Sequence, residues 1–249
     1  MRKRLVAANW KMNGDKALVS ELLGGFKAAN LGQNSEVVIF APAIFIPSVE
    51  DELTGSVIKW GGQNCSEMDH GAFTGEISLS MLKAFGCTHV LVGHSERRTL
   101  YSETNEIIAE KVKSALAQGV TPVLCVGETL EQRESGITET VVAEQINAVL
   151  DVVGIQGLAQ CVVAYEPVWA IGTGKTATPD QAQEVHAYIR QLLASKDVAV
   201  SENIQILYGG SVNGVTASEL FGMPDIDGGL VGGASLKQEE FITICKAAD

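Results

Sequence analysis

Eight short apolar runs recur along this chain, and their number constrains the fold more than any other feature. They are Leu5–Asn9, Val37–Ala41, Val57–Gly61, His89–Gly93, Thr121–Val126, Cys161–Glu166, Ile204–Gly209 and Gly228–Val231. Four to eight continuous apolar residues between turn formers fit strands covered on both faces, as in a parallel sheet. Helical patterns fill most of the gaps. Val142, Ile146, Val149, Leu150 and Val153 line one helix face, and Ile108, Val112, Ala115 and Leu116 line another. Thr178-Pro179-Asp180-Gln181 reads as a helix start, with Thr as cap, Pro at the first position and Gln at the third. Successive runs begin about 32 residues apart on average, but unevenly, so the unit is a recurring strand–helix pair and not a strict repeat. Eight such units in 249 residues fit an α/β fold, a closed (β/α)8 barrel, spanning 1–249 as a single domain. A doubly wound open sheet is the structural rival.

A barrel collects its functional residues just after the strand ends, on one rim. The chemistry-bearing residues of this chain fall there. Asn9, Trp10 and Lys11 close the first run, and His94 to Arg98 follow the fourth. Glu166 ends the sixth; Gly209, Gly210 and Ser211 follow the seventh; Gly232 to Ser235 follow the eighth. Barrel closure would bring Lys11 and Glu166 together despite their distance in sequence.

Glu166 is the sharpest of these. A buried strand ends in a carboxylate, a hinge proline follows, and a short apolar and glycine-rich stretch runs to Thr176. That arrangement suits proton abstraction under a lid, with partial burial lifting the carboxyl pKa toward a working range. His94 opens the stretch SERRTLY, and a helix N-terminus disfavours imidazolium, leaving a neutral ring able to donate a hydrogen bond. Lys11 offers a point charge to an anionic substrate or a developing oxyanion. Gly172-Thr173-Gly174-Lys175-Thr176 imitates a P-loop, but Trp169 stands where that motif needs glycine. It also imitates a dinucleotide fingerprint, but it follows a hinge proline and its helix waits for Thr178. Mobile glycines closing their N–H groups on a phosphate is the better reading. Ser211 and the glycine doublets 209–210 and 232–233 sit where barrels bind phosphate. Glu128, after its own strand, is read as a structural ion-pair partner, and His70, His89 and His186 as structural or surface residues. His94-x-Glu96 lacks the P-C-x-x-C partner of zinc deaminases, so no metal site is expected.

The net charge of −12 argues against nucleic acid or an anionic membrane surface as partner. It leaves room for a small anionic substrate met by local donors. The five cysteines are odd in number and form no C-x-x-C, which fits reduced, mostly buried thiols in the cytoplasm. The first apolar run is too short for a signal peptide, and the region Val37 to Val49 is broken by Pro42 and Pro47, so no membrane span is expected.

With these pieces in place, the chain resembles the triosephosphate isomerases along its whole length. The resemblance rests on AANWKMNG at 7–14, QNCS and GAFTGEIS within 63–78, VLVGHSERR at 90–98 and VLCVGE at 123–128. It continues in AYEPVWAIGTGK at 164–175, LYGGSV at 207–212 and GGLVGGASL at 228–236. The family is itself a standard case of pKa tuning in a TIM barrel, so the roles that follow are carried over from it. The resemblance implies interconversion of dihydroxyacetone phosphate and glyceraldehyde 3-phosphate without cofactor or metal. Glu166 would be the base, His94 the neutral electrophile, and Lys11 and Asn9 groups at the substrate oxygen, with Glu96 a supporting carboxylate. Gly172, Ser211, Gly232 and Gly233 would give backbone donors to the phosphate. Pro167, Val168, Trp169, Ala170, Ile171, Gly172, Thr173, Gly174, Lys175, Thr176 and Ala177 would form the lid. It further implies a homodimer, with the long loop Cys65–Ser78 inserting into the partner and Thr74 near the partner's site. Against this stand another sugar-phosphate barrel enzyme, such as an aldolase with a Schiff-base lysine at a strand end, and a non-catalytic phosphate-binding barrel. Lys59 lies inside the third run and is a poor fit to the first of these.

Overall fold

A strand buried on both faces must alternate its side chains between two apolar environments, and this chain supplies both. In the computed structural model, which describes residues 2–171 and 177–249, eight strands pair in parallel and close on themselves. They are β1 (Leu5–Asn9), β2 (Glu36–Ala41), β3 (Lys59–Gly62), β4 (His89–Val92), β5 (Thr121–Val126), β6 (Val162–Tyr165), β7 (Ile206–Tyr208) and β8 (Gly228–Val231). Closure is made by β1 on β8, with Leu5 opposite Gly228 and Ala8 opposite Val231. Leu5 and Ala7 point inward, into a cluster with Val38, Phe40, Leu91, Val123, Cys125, Val162, Ala164, Leu207 and Leu230. Val6 and Ala8 point outward, into the larger core beneath the helices. The barrel is therefore packed solid below its rim. Phe40 is the largest inward residue, and burying it contributes about 2 kcal/mol. Gly61 on the neighbouring strand makes its room: a Cβ there would lie 2.8 Å from the Phe40 ring and 2.2 Å from the His89 carbonyl oxygen.

The helices are α1 (Lys16–Ala28), α2 (Ile46–Leu53), α3 (Leu79–Ala84), α4 (Ser95–Leu100), α5 (Asn105–Ala117), α6 (Leu130–Glu134), α7 (Thr138–Leu158), α8 (Pro179–Ala194), α9 (Val198–Asn203), α10 (Ala217–Phe221) and α11 (Gln238–Ala247). Capping fixes where several begin. Thr178 caps α8 in a reciprocal box with Gln181, behind Pro179, as the sequence leads one to expect. The expected faces of α5 and α7 are the packed ones: Ile108, Val112 and Ala115 are buried, as are Val142, Ile146 and Val149. α7 is long and apolar enough to cross a membrane by length and composition. Its apolar face instead lies against α5, α8 and β5, and Gly154, at φ 67°, breaks its helical geometry four residues before its end.

Strand ends differ from the apolar runs by a residue or two. β3 begins at Lys59, because Val57 is 53% exposed and the ladder with β2 starts at the Val38–Lys59 pair. β6 stops at Tyr165, so Glu166 is the first residue beyond the strand.

Candidate active site

Two devices in the chain leaving β1 hold a cation over the barrel mouth. Asn9, the last residue of β1, accepts the Lys11 backbone N–H on its side-chain oxygen at 3.0 Å. Lys11 takes φ 51°, a left-handed conformation that costs a non-glycine residue about 1–2 kcal/mol. Gln63 stabilises it by donating to the Lys11 carbonyl at 2.9 Å. The Lys11 ammonium pairs with Glu96 at 2.5 Å. Backbone strain of this kind, held by side-chain bonds from two strands, fixes a charge that a surface lysine would leave loose.

The core of the site is a buried acid–base pair. Glu166 is 2% exposed and His94 6%. Glu166 Oε1 lies 2.9 Å from His94 Nε2, and Oε2 accepts the Ser95 backbone N–H at 2.8 Å. His94 caps α4, and its Nδ1 accepts the Glu96 backbone N–H at 3.2 Å. An acceptor Nδ1 carries no proton, so the ring's proton sits on Nε2 and points at Glu166. That bond fixes the tautomer of the neutral ring expected at a helix start, while the carboxylate at Nε2 favours a second proton.

The titration of the pair departs from the sequence expectation. Burial alone would raise the Glu166 pKa, but His94 and the Ser95 N–H hold the carboxyl below its ordinary value. Burial alone would lower that of His94, yet the carboxylate beside it raises the ring's proton affinity above the ordinary value. The donors responsible come from another strand end, and nothing near Glu166 in sequence announces them. Arg98 braces this corner by donating to the carbonyls of Gly93 and Cys125 and to Asn105 Oδ1.

Glu128 ties β5 to the segment beyond Glu166. It is fully buried, and its Oε1 accepts from the Tyr165 hydroxyl (3.1 Å), the Trp169 indole (2.9 Å) and Arg133 Nη1 (3.2 Å). The Arg133 guanidinium also lies 4.7 Å from the centre of the Trp169 ring. An ion pair with Arg133 matches the structural role read for Glu128. Its grip on Tyr165 and Trp169 goes beyond that reading.

From this pair a cleft of about 500 Å³ runs across the rim to the ends of β7 and β8. Asn9, Lys11, His94 and Glu166 line one end; Gly209, Gly210, Ser211, Gly232 and Gly233 line the other. Among the described residues, a Cβ at Gly232 would meet only Lys11, at 3.5 Å, and one at Gly233 would meet nothing within 4 Å, so these two positions present backbone to the cavity. Bare backbone beside a lysine is a setting for an anion. The chain itself has relatives. A family model described as triosephosphate isomerase matches residues 4–248. The chain is 56% identical to the triosephosphate isomerase of Thiobacillus denitrificans over 248 residues, covering 100% of this chain and 99% of that one. It is 55% identical to that of Nitrosomonas europaea, covering 99% and 98%, and 54% identical to that of Nitrosococcus oceani, covering all of both chains. The chain belongs to the triosephosphate isomerase family.

As a triosephosphate isomerase family member it has the barrel that the runs foretold, and Asn9, Lys11, His94, Glu166, Ser211, Gly232 and Gly233 meet in one cleft. Ala170 and Ile171 line it as well, while Pro167, Val168, Trp169 and Ala177 stand behind it. Gly172, Thr173, Gly174, Lys175 and Thr176 lie outside the described residues. Glu96 faces a neighbouring cavity of about 720 Å³ and reaches the cleft through Lys11. Thr74 is exposed in the loop between β3 and α3, away from the cleft. Lys59 pairs with Glu36 at the other end of the strands, so it cannot serve a Schiff base in this cleft. Sequence reasoning placed Trp10 at the rim without giving it a role, and overlooked Asn13, Asn213, Lys237 and Glu240 on the cleft walls. Asn13 and Asn213 lie close in sequence to residues already chosen, which was the available signal. Lys237 and Glu240 straddle the start of α11, with no motif to mark them.

Proposed function

We propose that this chain interconverts dihydroxyacetone phosphate and D-glyceraldehyde 3-phosphate, in glycolysis and gluconeogenesis. The observation that carries the reading is the buried Glu166–His94 pair, 2.9 Å apart, at one end of a cleft whose other end includes the backbone of Gly232 and Gly233. A three-carbon phosphate fits between them. Glu166 takes a proton from one carbon and returns it to the next. His94, with its proton on Nε2, donates to the oxygens of the enediolate. Lys11 and Asn9 act at the same oxygens, and Glu96 steadies Lys11 through their ion pair. Substrate entering the cleft takes over the bond that Glu166 makes to His94, which frees the carboxylate as a base. The interconversion moves one proton between carbons and one between oxygens, so base and electrophile supply it without a cofactor or metal.

Ser211, Gly232, Gly233 and, outside the described residues, Gly172 hold the phosphate. The stretch from Pro167 to Ala177 acts as the lid, anchored at its first turn by Glu128 through Trp169. A closed lid keeps water from the enediolate and hinders loss of phosphate.

The chain works as one barrel domain, in the cytoplasm, as a homodimer. Met12, Ile44, Phe73, Leu100 and Tyr101 are exposed apolar side chains, and Met12, Leu100 and Tyr101 line the neighbouring cavity. That cavity suits the partner's loop Cys65–Ser78, carrying Thr74 toward the site. Five free, buried cysteines suit a reducing compartment.

A coupled assay with glyceraldehyde 3-phosphate on the pure protein tests the activity. Glu166→Gln, which keeps size but not basicity, should lower turnover by roughly 10²–10⁴-fold. Full activity in that variant would refute Glu166 as the base and His94 as its electrophilic partner.

A further inference from the structure

The cleft has a second cation that the roles above leave idle. Lys237 and Glu240 lie on its outer wall, on the side of Asn213, Gly232 and Gly233. Lys237 stands just before α11, and Glu240 is in that helix's first turn. Their charged atoms are 3.3 Å apart. The lysine side chain is 73% exposed and the glutamate 28%, so water weakens the pair and Lys237 is free to turn. Among the described residues, Lys11 and Lys237 are the only cations lining the cleft, and each is paired with a glutamate. The remainder of the protein, at a net charge of −12, repels an anion.

We infer that Lys237 and Glu240 act as opposed steering charges for the anionic substrate, the lysine drawing it in and the glutamate holding that attraction back. The inference rests on the triose phosphate reading of this cleft. A single charge about 8 Å from a dianion in water changes its capture about three- to fivefold at low salt, and much less once the Debye length is shorter than that separation. Glu240 is therefore a brake: its carboxylate opposes the phosphate directly and competes for Lys237. A residue with a merely structural part in the helix start would lower function on replacement. A brake raises it.

The test is kcat/KM for glyceraldehyde 3-phosphate, and the inhibition constant of inorganic phosphate, in Lys237→Gln, Glu240→Gln and Glu240→Lys. Each is measured from about 10 mM to about 0.5 M salt. At low salt Lys237→Gln should lower kcat/KM about threefold and weaken phosphate binding. Glu240→Gln should raise kcat/KM about twofold, and Glu240→Lys should raise it further. All three should approach the parent at high salt. Glu240 variants at or below the parent at low salt, or differences that persist at high salt, would overturn the inference. A parent protein that neither turns over the substrate nor is inhibited by phosphate would instead overturn the reading of the cleft.

Discussion

Replacing Glu128 separates the value of its charge from the value of its hydrogen bonds. Its Oε1 accepts from Tyr165, Trp169 and Arg133, whereas among the described residues its Oε2 accepts only from the Tyr165 hydroxyl, at 3.0 Å. A glutamine can keep this pattern. Its oxygen takes the Oε1 position, where Trp169 and Arg133 can only donate, and its NH2 takes the Oε2 position and donates to the Tyr165 oxygen, which can accept. What is lost is the charge. Hydrogen bonds to charged groups contribute about 1.5–3 kcal/mol and neutral ones about 0.5–1.5, so Glu128→Gln should cost about 1–2 kcal/mol. A leucine keeps the volume and removes every acceptor. It strands the buried Tyr165 hydroxyl and leaves Arg133, 23% exposed, without its counter-ion. Breaking such an arrangement should cost about 3–5 kcal/mol. Urea unfolding at one fixed protein concentration gives both numbers, since the midpoint of an associating protein depends on concentration. kcat/KM should fall in the same order, because Trp169 loses the carboxylate that holds the first turn of the proposed lid. Equal costs for the two variants would refute the reasoning, because they would show that the acceptor pattern contributes nothing beyond the charge.

Gly210→Ala would put a Cβ 2.2 Å from the Tyr208 hydroxyl and 2.9 Å from a Pro167 ring carbon, so it should destabilise by about 1–3 kcal/mol and lower kcat/KM by displacing Pro167 beside Glu166; thermal melts and steady-state kinetics check it. Acid should unfold the protein early. Burial pushes the pKa values of His89 and His186 down to about 4, so the unfolded chain takes up protons below about 6.5 while the folded one refuses them until about 4. Stability is therefore unaffected by these two groups above about pH 6.5 and falls between about 6.5 and 4, by about 3 kcal/mol for each. The carboxyls of Glu36 and Glu103, held below their ordinary values, add to the loss at lower pH. Urea midpoints that stay level from about pH 7 to about pH 4.5 would contradict this.

How much was legible beforehand follows from where each signal lies. The barrel was legible because a strand packed on both faces writes a short, unbroken apolar run, and eight of them allow few closures. Val57 misled by two residues, being apolar yet exposed, since only pairing with β2 decides where β3 begins. Glu166, His94, Lys11 and Asn9 were legible because strand ends are marked in sequence. The lowered pKa of Glu166 was not, because its donors follow β4, two strands away, and meet the carboxylate only in the folded barrel. The same holds for Glu128, whose partners Tyr165 and Trp169 are 37 and 41 positions away.

Isomerisation in deuterated water, with the product examined by mass and NMR, bears most directly on the central claim that Glu166 carries the proton. A carboxyl group that holds the proton between two carbons exchanges it with solvent, so some product should carry deuterium at the receiving carbon. Glu166→Gln should lose exchange and turnover together. Product that retains only the original hydrogen, or a glutamine variant that still exchanges at the parent's rate, would contradict the account.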